Sequence, residues 1–251
     1  MTQKIWTQEY DINTIVLNPQ KRLGLYGLLN ILQDAAWIHA EHLGCGFKEM
    51  MSRGTIWVLT RQMLRMSAWP VWGERIAVRT WSRPISGAMA YRDYEILCGE
   101  RKLGEATSSW LTLDWTSRKP QRLNLFDHPI ACREDGSLAL MPGKIPLLKN
   151  LDAAAMFHVR NSDLDMNGHV NNTRYAQWIL DSIPPKTLAF WQVAEYEVNF
   201  LAETNVGDTV AIECAELPAA ADVSARRQFQ GRRAADGKIA FAARFGARKA
   251  E

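Results

Sequence analysis

The chain repeats one pattern twice, and this repetition restricts the folds open to it. In the first half, residues 25–43 carry a stripe of apolar side chains at helical spacing, and Gly44 follows as a stop signal. The stripe consists of Leu25, Leu28, Leu29, Leu32, Ala36, Ala40 and Leu43. After it, the pattern predicts strands at residues 56–66, 75–82, 89–97 and 104–114. The first half is therefore predicted to form one helix and then an antiparallel meander.

The second half follows the same plan. A helix is predicted near residues 171–183, and apolar and polar side chains then alternate over residues 194–200. Further strands are predicted at residues 208–216, 224–233 and 238–247. The turns Gly73-Glu74 and Gly207-Asp208 each precede a β-rich segment, and a shift of 134 residues places one turn on the other. An internal duplication is the simplest explanation.

Two copies of a long helix wrapped by a curled antiparallel sheet make an α+β architecture, in which each sheet buries the apolar stripe of its helix. The predicted domains are residues 1–115 and residues 153–251. Between them, residues 116–152 contain four prolines and little periodicity. Such a segment is typical of a linker that crosses the surface.

The overall composition excludes several classes of protein. Hydrophobic residues make up 47% of the chain and charged residues 23%, which argues against disorder. The net charge of +3 is too small to indicate binding to nucleic acid. No basic stretch followed by an apolar run opens the sequence, and no run of about eighteen apolar residues occurs, so we expect a cytoplasmic protein that does not enter membranes. Four scattered cysteines without CxxC spacing predict reduced thiols.

Local clusters of basic residues say more than the net charge. Arg118, Lys119 and Arg122 form one group, and Arg226, Arg227, Arg232, Arg233 and Lys238 form a second. Either group could attract an acidic partner, and a solvated surface is the equally weighted alternative.

Six acid, amide and imidazole side chains fall within ten positions just before the second helix. They are Asp163, Asp165, Asn167, His169, Asn171 and Asn172. At a helix N-terminus, free backbone N–H groups and the positive end of the dipole suit a developing negative charge. Capping needs only one or two such residues, so the cluster predicts an active site. We expect this cluster once only, because residues 21–27, before the first helix, contain no acid or amide.

The segment DLDMNGHVNN at residues 163–172 resembles the signature of the acyl-ACP thioesterases. Residues 56–61 and 69–74 resemble that family's strand and turn pattern, and the similarity covers most of residues 8–248. The resemblance implies two tandem hotdog domains, an N-terminal one that forms the acyl pocket and a C-terminal catalytic one. It also implies hydrolysis of fatty acyl thioesters carried on acyl carrier protein, a reaction that terminates fatty acid synthesis.

Carried over residue by residue, the family's catalytic Asp, Asn and His would be Asp165, Asn167 and His169, and its later catalytic Glu would be Glu203. Plant members often have Cys where Thr204 stands here, so the resemblance implies attack by an activated water rather than by a thiol. We expect Glu203 to be the general base, in an apolar pocket that raises its pKa.

The remaining polar groups take supporting parts in this hypothesis. Asp165 would share in activating water or hold Asn167, and Asn167 would orient the water or the thioester. His169 and a helix-start backbone N–H near Val170 would stabilise the oxyanion. Asn171, Asn172 and Arg174 are assigned to capping and support.

Two alternative functions stay open from sequence. A hotdog thioesterase acting on acyl-CoA would also place its catalytic Asp at Asp165, and a non-enzymatic acyl-binding hotdog protein would keep the pocket without needing the acids. No metal or nucleotide cofactor is expected, because His39 and His42 lack further ligands and no glycine-rich fingerprint follows a strand. Two hotdogs in one chain already form a pseudo-dimer, so assembly into a homodimer is open.

Overall fold

The computed structural model describes residues 3–85, 88–122, 130–220 and 223–249. The chain divides into two compact units, Met1–Pro142 and Gly143–Glu251. This division falls inside the segment predicted to be a linker. Within the described ranges, no helix combines the length and the apolar character needed to span a bilayer.

The first unit is one long helix on an antiparallel sheet. Its elements are β1 (Ile5–Asp11), α1 (Leu25–His42), α2 (Phe47–Ser52), β2 (Thr55–Met66), β3 (Arg75–Ser82), β4 (Met89–Cys98), β5 (Arg101–Asp114) and β6 (Pro120–Gln121). The strand order is β1-β3-β4-β5-β2, with β6 added beside β5. The predicted helix and all four predicted strands are confirmed, whereas β1, α2 and β6 were not predicted.

The apolar stripe of α1 is the reason for this packing. Leu28 and Leu32 are fully buried, and α1 contacts β1 and β3. On the opposite face of the sheet, Arg83 and Asp93 form a buried bidentate ion pair at 2.7 and 2.8 Å. Arg83 also donates to the carbonyl oxygens of Leu138 and Leu140. The hydrogen bonds of Arg83 therefore hold Leu138 and Leu140, two residues of the predicted linker, against the sheet.

The second unit repeats this plan. Its elements are β7 (Asp152–His158), α3 (Asn172–Asp181), α4 (Pro185–Leu188), β8 (Trp191–Phe200), β9 (Thr209–Leu217), β10 (Ala225–Arg233) and β11 (Ile239–Lys249). The strand order is β8-β11-β10-β9-β7, with all neighbours antiparallel. Strands β8 to β11 and helix α3 were predicted, but β7 was not. Each unit is thus a hotdog, the α+β architecture that the sequence indicated.

Aromatic side chains join α3 to its sheet. The ring of Tyr175 packs against Phe200 of β8 and Phe241 of β11. The ring of Trp178 stacks on Phe157 of β7. These contacts place the helix N-terminus, and the polar residues before it, at a fixed position over the sheet.

Polar side chains on the other face of this sheet hold the backbone of residues 143–148. Glu197 and Asn199 each accept a backbone N–H, at 2.7 and 2.8 Å. Gln230 accepts another at 2.7 Å, and Gln228 donates to a carbonyl oxygen at 2.7 Å. The segment predicted as a surface linker is therefore packed on the sheet over these residues.

Candidate active site

The predicted cluster forms a tight turn built on Asp165. The Oδ1 atom of Asp165 accepts the backbone N–H groups of Asn167 at 2.8 Å and His169 at 3.3 Å. The Asp165 N–H donates to the His169 carbonyl at 2.8 Å, and Gly168 N–H donates to the Asp165 carbonyl at 3.1 Å. Gly168 has φ of 80°, a conformation that glycine adopts without strain.

Asn171 and Asp163 fix the start of α3. Asn171 is the N-cap, and its side chain accepts the Thr173 N–H at 3.1 Å. The Asn171 N–H in turn donates to the Asp163 carbonyl at 2.8 Å. The buried Asp163 carboxylate accepts the Arg160 N–H at 2.9 Å and lies 3.7 Å from Arg174. These contacts agree with a supporting role for both residues.

Glu203 reaches the cluster from the segment after β8. The Val170 N–H donates to the Thr204 carbonyl at 3.0 Å, which draws the two segments together. His169 Nε2 then lies 3.6 Å from Glu203 Oε2. Arg233 donates to the Glu203 carbonyl at 2.6 Å and so holds the backbone of this residue. Two ionisable groups 34 positions apart in sequence thus become neighbours.

Three residues that hold the site, Tyr175, Thr204 and Arg233, were not given this part from sequence. The buried Thr204 hydroxyl accepts the phenolic O–H of Tyr175 at 3.0 Å, and burial raises the pKa of Tyr175 to about 12. Arg233, assigned only to a basic surface group, anchors Glu203 as described above. No local pattern distinguishes these partners, because each contact joins the segment after β8 to an element far from it in the chain, Tyr175 of α3 or Arg233 of β10.

One sequence-based expectation about this site is wrong. Glu203 was expected in an apolar pocket, yet its side chain is 52% exposed, so burial cannot supply the proposed desolvation. The Thr204 carbonyl accepts the N–H of Val170 itself at 3.0 Å, so the helix-start donor expected near Val170 has to be another residue. Among the described residues the Asn167 side chain has no hydrogen bond, and it is exposed. Asn172 is the first residue of α3. Its backbone N–H has no acceptor among the described residues.

As expected, the acid and imidazole side chains of the cluster do not recur before α1, but the backbone turn that carries them does. In the first unit, Asn18 Oδ1 accepts the N–H groups of Gln20 and Arg22 at 3.0 and 3.1 Å. The Asn18 N–H donates to the Arg22 carbonyl at 2.8 Å, and the Lys21 N–H donates to the Asn18 carbonyl at 3.0 Å. Lys21 has φ of 57°, the left-handed conformation that Gly168 adopts in the second unit. The same turn therefore precedes α1.

Residues 21–27 are not the counterpart of the cluster, because the offset between the two halves changes along the chain. The offset is 147 residues before the helices, from Asn18 to Asp165, and 134 after them, from Gly73 to Gly207. Helix α1 has 18 residues and α3 has 10, and this difference accounts for more than half of the change in offset. The contact from Val170 to Thr204 also has a counterpart in the first unit, where the Leu23 N–H donates to the Pro70 carbonyl at 2.9 Å.

The duplicated backbone carries different side chains in the two units. The matched pairs, first unit then second, are Asn18 and Asp165, Gln20 and Asn167, Arg22 and His169, and Trp69 and Glu203. Both carboxylates and the imidazole occur only in the second unit. An asparagine is sufficient to build the turn, so the charge of Asp165 is not needed for its structure.

The second basic group is not one cluster. Arg226 and Arg227 lie at one end of β10, and Arg232 and Arg233 lie at the other, about 23 Å away at ~3.3 Å per residue. At the second end, Arg233 contacts the backbone of Glu203. Lys238 lies at this end too: it is 3.6 Å from Asp236, and Asp236 also pairs with Arg233. The strand thus separates residues that are close in sequence.

The fold and the site together define a double hotdog protein whose second unit carries an acid and imidazole site. Residues 3–125 match the acyl-ACP thioesterase N-terminal domain, and residues 149–244 match the acyl-ACP thioesterase C-terminal domain. The chain belongs to the acyl-ACP thioesterase family.

Individual relatives agree with this assignment. The chain is 25% identical over 225 residues to the chloroplastic oleoyl-acyl carrier protein thioesterase 1 of Arabidopsis thaliana, covering 82% of this chain and 62% of that protein. It is 29% identical over 217 residues to the chloroplastic palmitoyl-acyl carrier protein thioesterase of Gossypium hirsutum, covering 79% and 52%. The chain thus spans between about half and two thirds of the length of these relatives.

Solved structures show the same fold. An acyl-ACP thioesterase from Bacteroides thetaiotaomicron superimposes with a TM-score of 0.89 at 23% identity, covering 98% of both chains. The 12:0-ACP thioesterase from Umbellularia californica gives a TM-score of 0.83 at 18% identity, covering 100% of this chain and 96% of that one. At these identities the likeness establishes the fold alone.

Proposed function

We propose that this protein hydrolyses fatty acyl thioesters carried on acyl carrier protein, with Asp165, Asn167, His169 and Glu203 as its catalytic residues. Family membership supports the reaction class. The observation that carries the site assignment is the comparison of the two turns. One backbone geometry occurs in both units, and only the second unit adds two carboxylates and an imidazole to it.

Glu203 is the general base in this proposal. A water about 2.8 Å from both Glu203 Oε2 and His169 Nε2 fits their 3.6 Å separation as the apex of a triangle. The water oxygen adds to the thioester carbonyl carbon and its proton passes to Glu203. The C–S bond then breaks, and the thiol leaves with that proton while the fatty acid remains. Half-exposure of the carboxylate keeps it accessible to water and to substrate.

Asp165 acts on the site through its second carboxylate oxygen. Oδ1 is occupied by two backbone N–H groups, whereas Oδ2 has no hydrogen bond to any described residue. Oδ2 is therefore open to share in activating the attacking water, and the exposed Asn167 amide is placed to orient the thioester. The Asn172 N–H, rather than that of Val170, is the backbone donor for the oxyanion.

We further propose that the carrier protein docks at the end of β10 that adjoins Glu203. An acidic carrier is attracted by cations near the point where its thioester must enter. The exposed Lys238 lies at this end, whereas Arg226 lies at the far end. Lys238→Glu is expected to raise KM for the acyl carrier substrate several-fold with kcat unchanged, and Arg226→Glu is the matched control. Equal KM values for the two variants would contradict this docking site.

The decisive experiment compares carrier substrates directly. The protein is incubated with acyl carrier proteins and acyl-CoAs of equal chain length, and the release of free thiol is measured. Higher kcat/KM with the carrier protein is expected. A preference for acyl-CoA would replace the proposed substrate, and no thiol release from either would leave an acyl-binding protein. The cytoplasmic location and homodimer assembly stay predictions, to be checked by fractionation and by sedimentation.

A further inference from the structure

Polar side chains from two other elements hold the segment that carries Glu203 at two consecutive residues. Arg233 of β10 donates from Nη1 to the Glu203 carbonyl at 2.6 Å. Tyr175 of α3 donates its hydroxyl proton to the Thr204 hydroxyl at 3.0 Å. The Arg233 side chain is 16% exposed, and Tyr175 and Thr204 are buried, so water competes little for either hydrogen bond.

Asp236 fixes the direction of the Arg233 guanidinium. Its carboxylate accepts hydrogen bonds from both Nε and Nη2 of Arg233, and this leaves Nη1 for the Glu203 carbonyl. The hydrogen bonds from Arg233 lower the pKa of Asp236 to about 2, so the pair is charged at neutral pH. A guanidinium held by two parallel bonds has one orientation. Arg233 is therefore a fixed donor rather than a mobile surface cation.

The matched side chains of the first unit cannot make these two bonds. The matches follow from the N-caps of α1 and α3, from the backbone contact ahead of each helix, and from the register of β3 with β4 and of β9 with β10. Leucine and proline have no hydroxyl group, and the cysteine thiol donates to a carboxylate instead. The matched pairs, first unit then second, are Leu28 and Tyr175, Pro70 and Thr204, and Cys98 and Arg233.

The Glu203 carboxylate needs such support because burial does not fix it. The side chain is 52% exposed, and its Oε2 lies 3.6 Å from His169 Nε2. One water can contact both groups only while they keep this separation. Misplacement of a reacting group by about 1 Å can cost about 10²-fold in rate. Restraints on residues 203 and 204 limit the directions in which the carboxylate can move.

We propose that Arg233 and Tyr175 are positioning residues for Glu203, which hold the base at the distance from His169 that the attacking water requires. This role rests on the proposed function, in which Glu203 is the general base. It differs from carrier docking, which is assigned to Lys238, because a docking cation changes KM whereas a positioning residue changes kcat.

Thiol release from an acyl carrier substrate by Arg233→Met and Arg232→Met tests the arginine. The two arginines are matched, because each has two bonds to one carboxylate and one bond from Nη1 to a backbone carbonyl. Each variant also removes one cation from the same end of β10, so KM should change alike in both. We expect kcat to fall about 10- to 10²-fold in Arg233→Met alone, with partial recovery in Arg233→Lys. Equal kcat in Arg233→Met and Arg232→Met would overturn the proposal.

Double variants separate positioning from a general structural effect. If Arg233 acts through Glu203, Arg233→Met should lower kcat no further in a protein that already has Glu203→Gln. Tyr175→Phe, which keeps the aromatic ring and loses only the hydroxyl, should behave in the same way. Asp236→Asn, at a side chain that is 36% exposed, replaces Arg233→Met if that variant does not fold. Losses of kcat that multiply in the double variants would show an effect independent of Glu203 and so contradict this role.

The imidazole NMR signals of His169 report the same positioning without catalysis. The Glu203 carboxylate is 3.6 Å away, so Glu203→Gln should shift these signals. Arg233→Met should shift them in the same direction, and Arg232→Met should leave them as in the wild-type protein. Unshifted signals in Arg233→Met would refute the positioning. The expected shifts together with no thiol release from the wild-type protein would contradict the proposed reaction alone.

Discussion

Replacing Asp165 by asparagine separates the structural part of this residue from its chemical part. The Oδ1 atom of Asp165 accepts two backbone N–H groups, and Asn18 accepts the matching pair in the first unit with an amide oxygen. Asparagine at position 165 can thus keep the turn. We expect the free energy of unfolding to change by less than about 1 kcal/mol, while kcat falls about 10²- to 10⁴-fold.

Alanine at positions 165 and 18 measures what the two hydrogen bonds of each turn contribute to stability. Asp165→Ala loses both hydrogen bonds, at about 0.5–1.5 kcal/mol each, and should destabilise the protein by about 1–3 kcal/mol as well as inactivate it. Asn18→Ala loses the same two bonds in the first unit and should destabilise equally, with kcat within about threefold of wild type. Urea unfolding gives the stability, and thiol release from an acyl carrier substrate gives kcat.

The outcomes that would refute this reasoning are specific. Wild-type kcat in Asp165→Asn would show that the charge has no part in the reaction. A stability loss in Asp165→Asn as large as in Asp165→Ala would show that the amide does not rebuild the turn. A loss of kcat in Asn18→Ala as large as in Asp165→Asn would mean that the first turn also takes part in catalysis.

Three further predictions follow from other parts of the structure. Glu203→Gln, at a half-exposed side chain, should lower kcat about 10²- to 10⁴-fold in the thiol assay and leave unfolding within about 0.5 kcal/mol of wild type; wild-type kcat would exclude it as the base. Between pH 6.5 and about 4 the unfolded state binds more protons than the folded state, because the pKa of His39 is lowered when it is buried. Stability should therefore fall as pH falls through this window, by up to about 1.4 kcal/mol per pH unit, and His39→Asn should flatten that slope in urea titrations. Asp93→Ala leaves the buried Arg83 without its bidentate partner and should cost about 3–5 kcal/mol, whereas Lys102→Ala, at an exposed pair, should cost less than about 1 kcal/mol by the same measurement.

Several helices, strands and caps could be predicted from the sequence because their signals lie within a few residues of one another. The apolar stripe of α1, the alternation along β8 and the stop at Gly44 each depend on neighbours a few residues apart. The cap at Asn171 was readable for the same reason. By contrast, β7 was missed because most of its residues are exposed and its short alanine run has no alternation.

The sequence by itself determined the duplicated helix-and-sheet plan, the turn before α3 and the residue types available for chemistry. Only the tertiary structure decided which of those residues meet. Strand register and the contact from Val170 to Thr204 bring Glu203 to His169, and they send Arg226 and Arg233 to opposite ends of one strand. The physical reason is that periodicity reports which face a side chain occupies, whereas its partners depend on pairing between segments far apart in the chain. The copy of the turn at Asn18 was hidden for this reason too, since a different helix length shifts the alignment of the two halves.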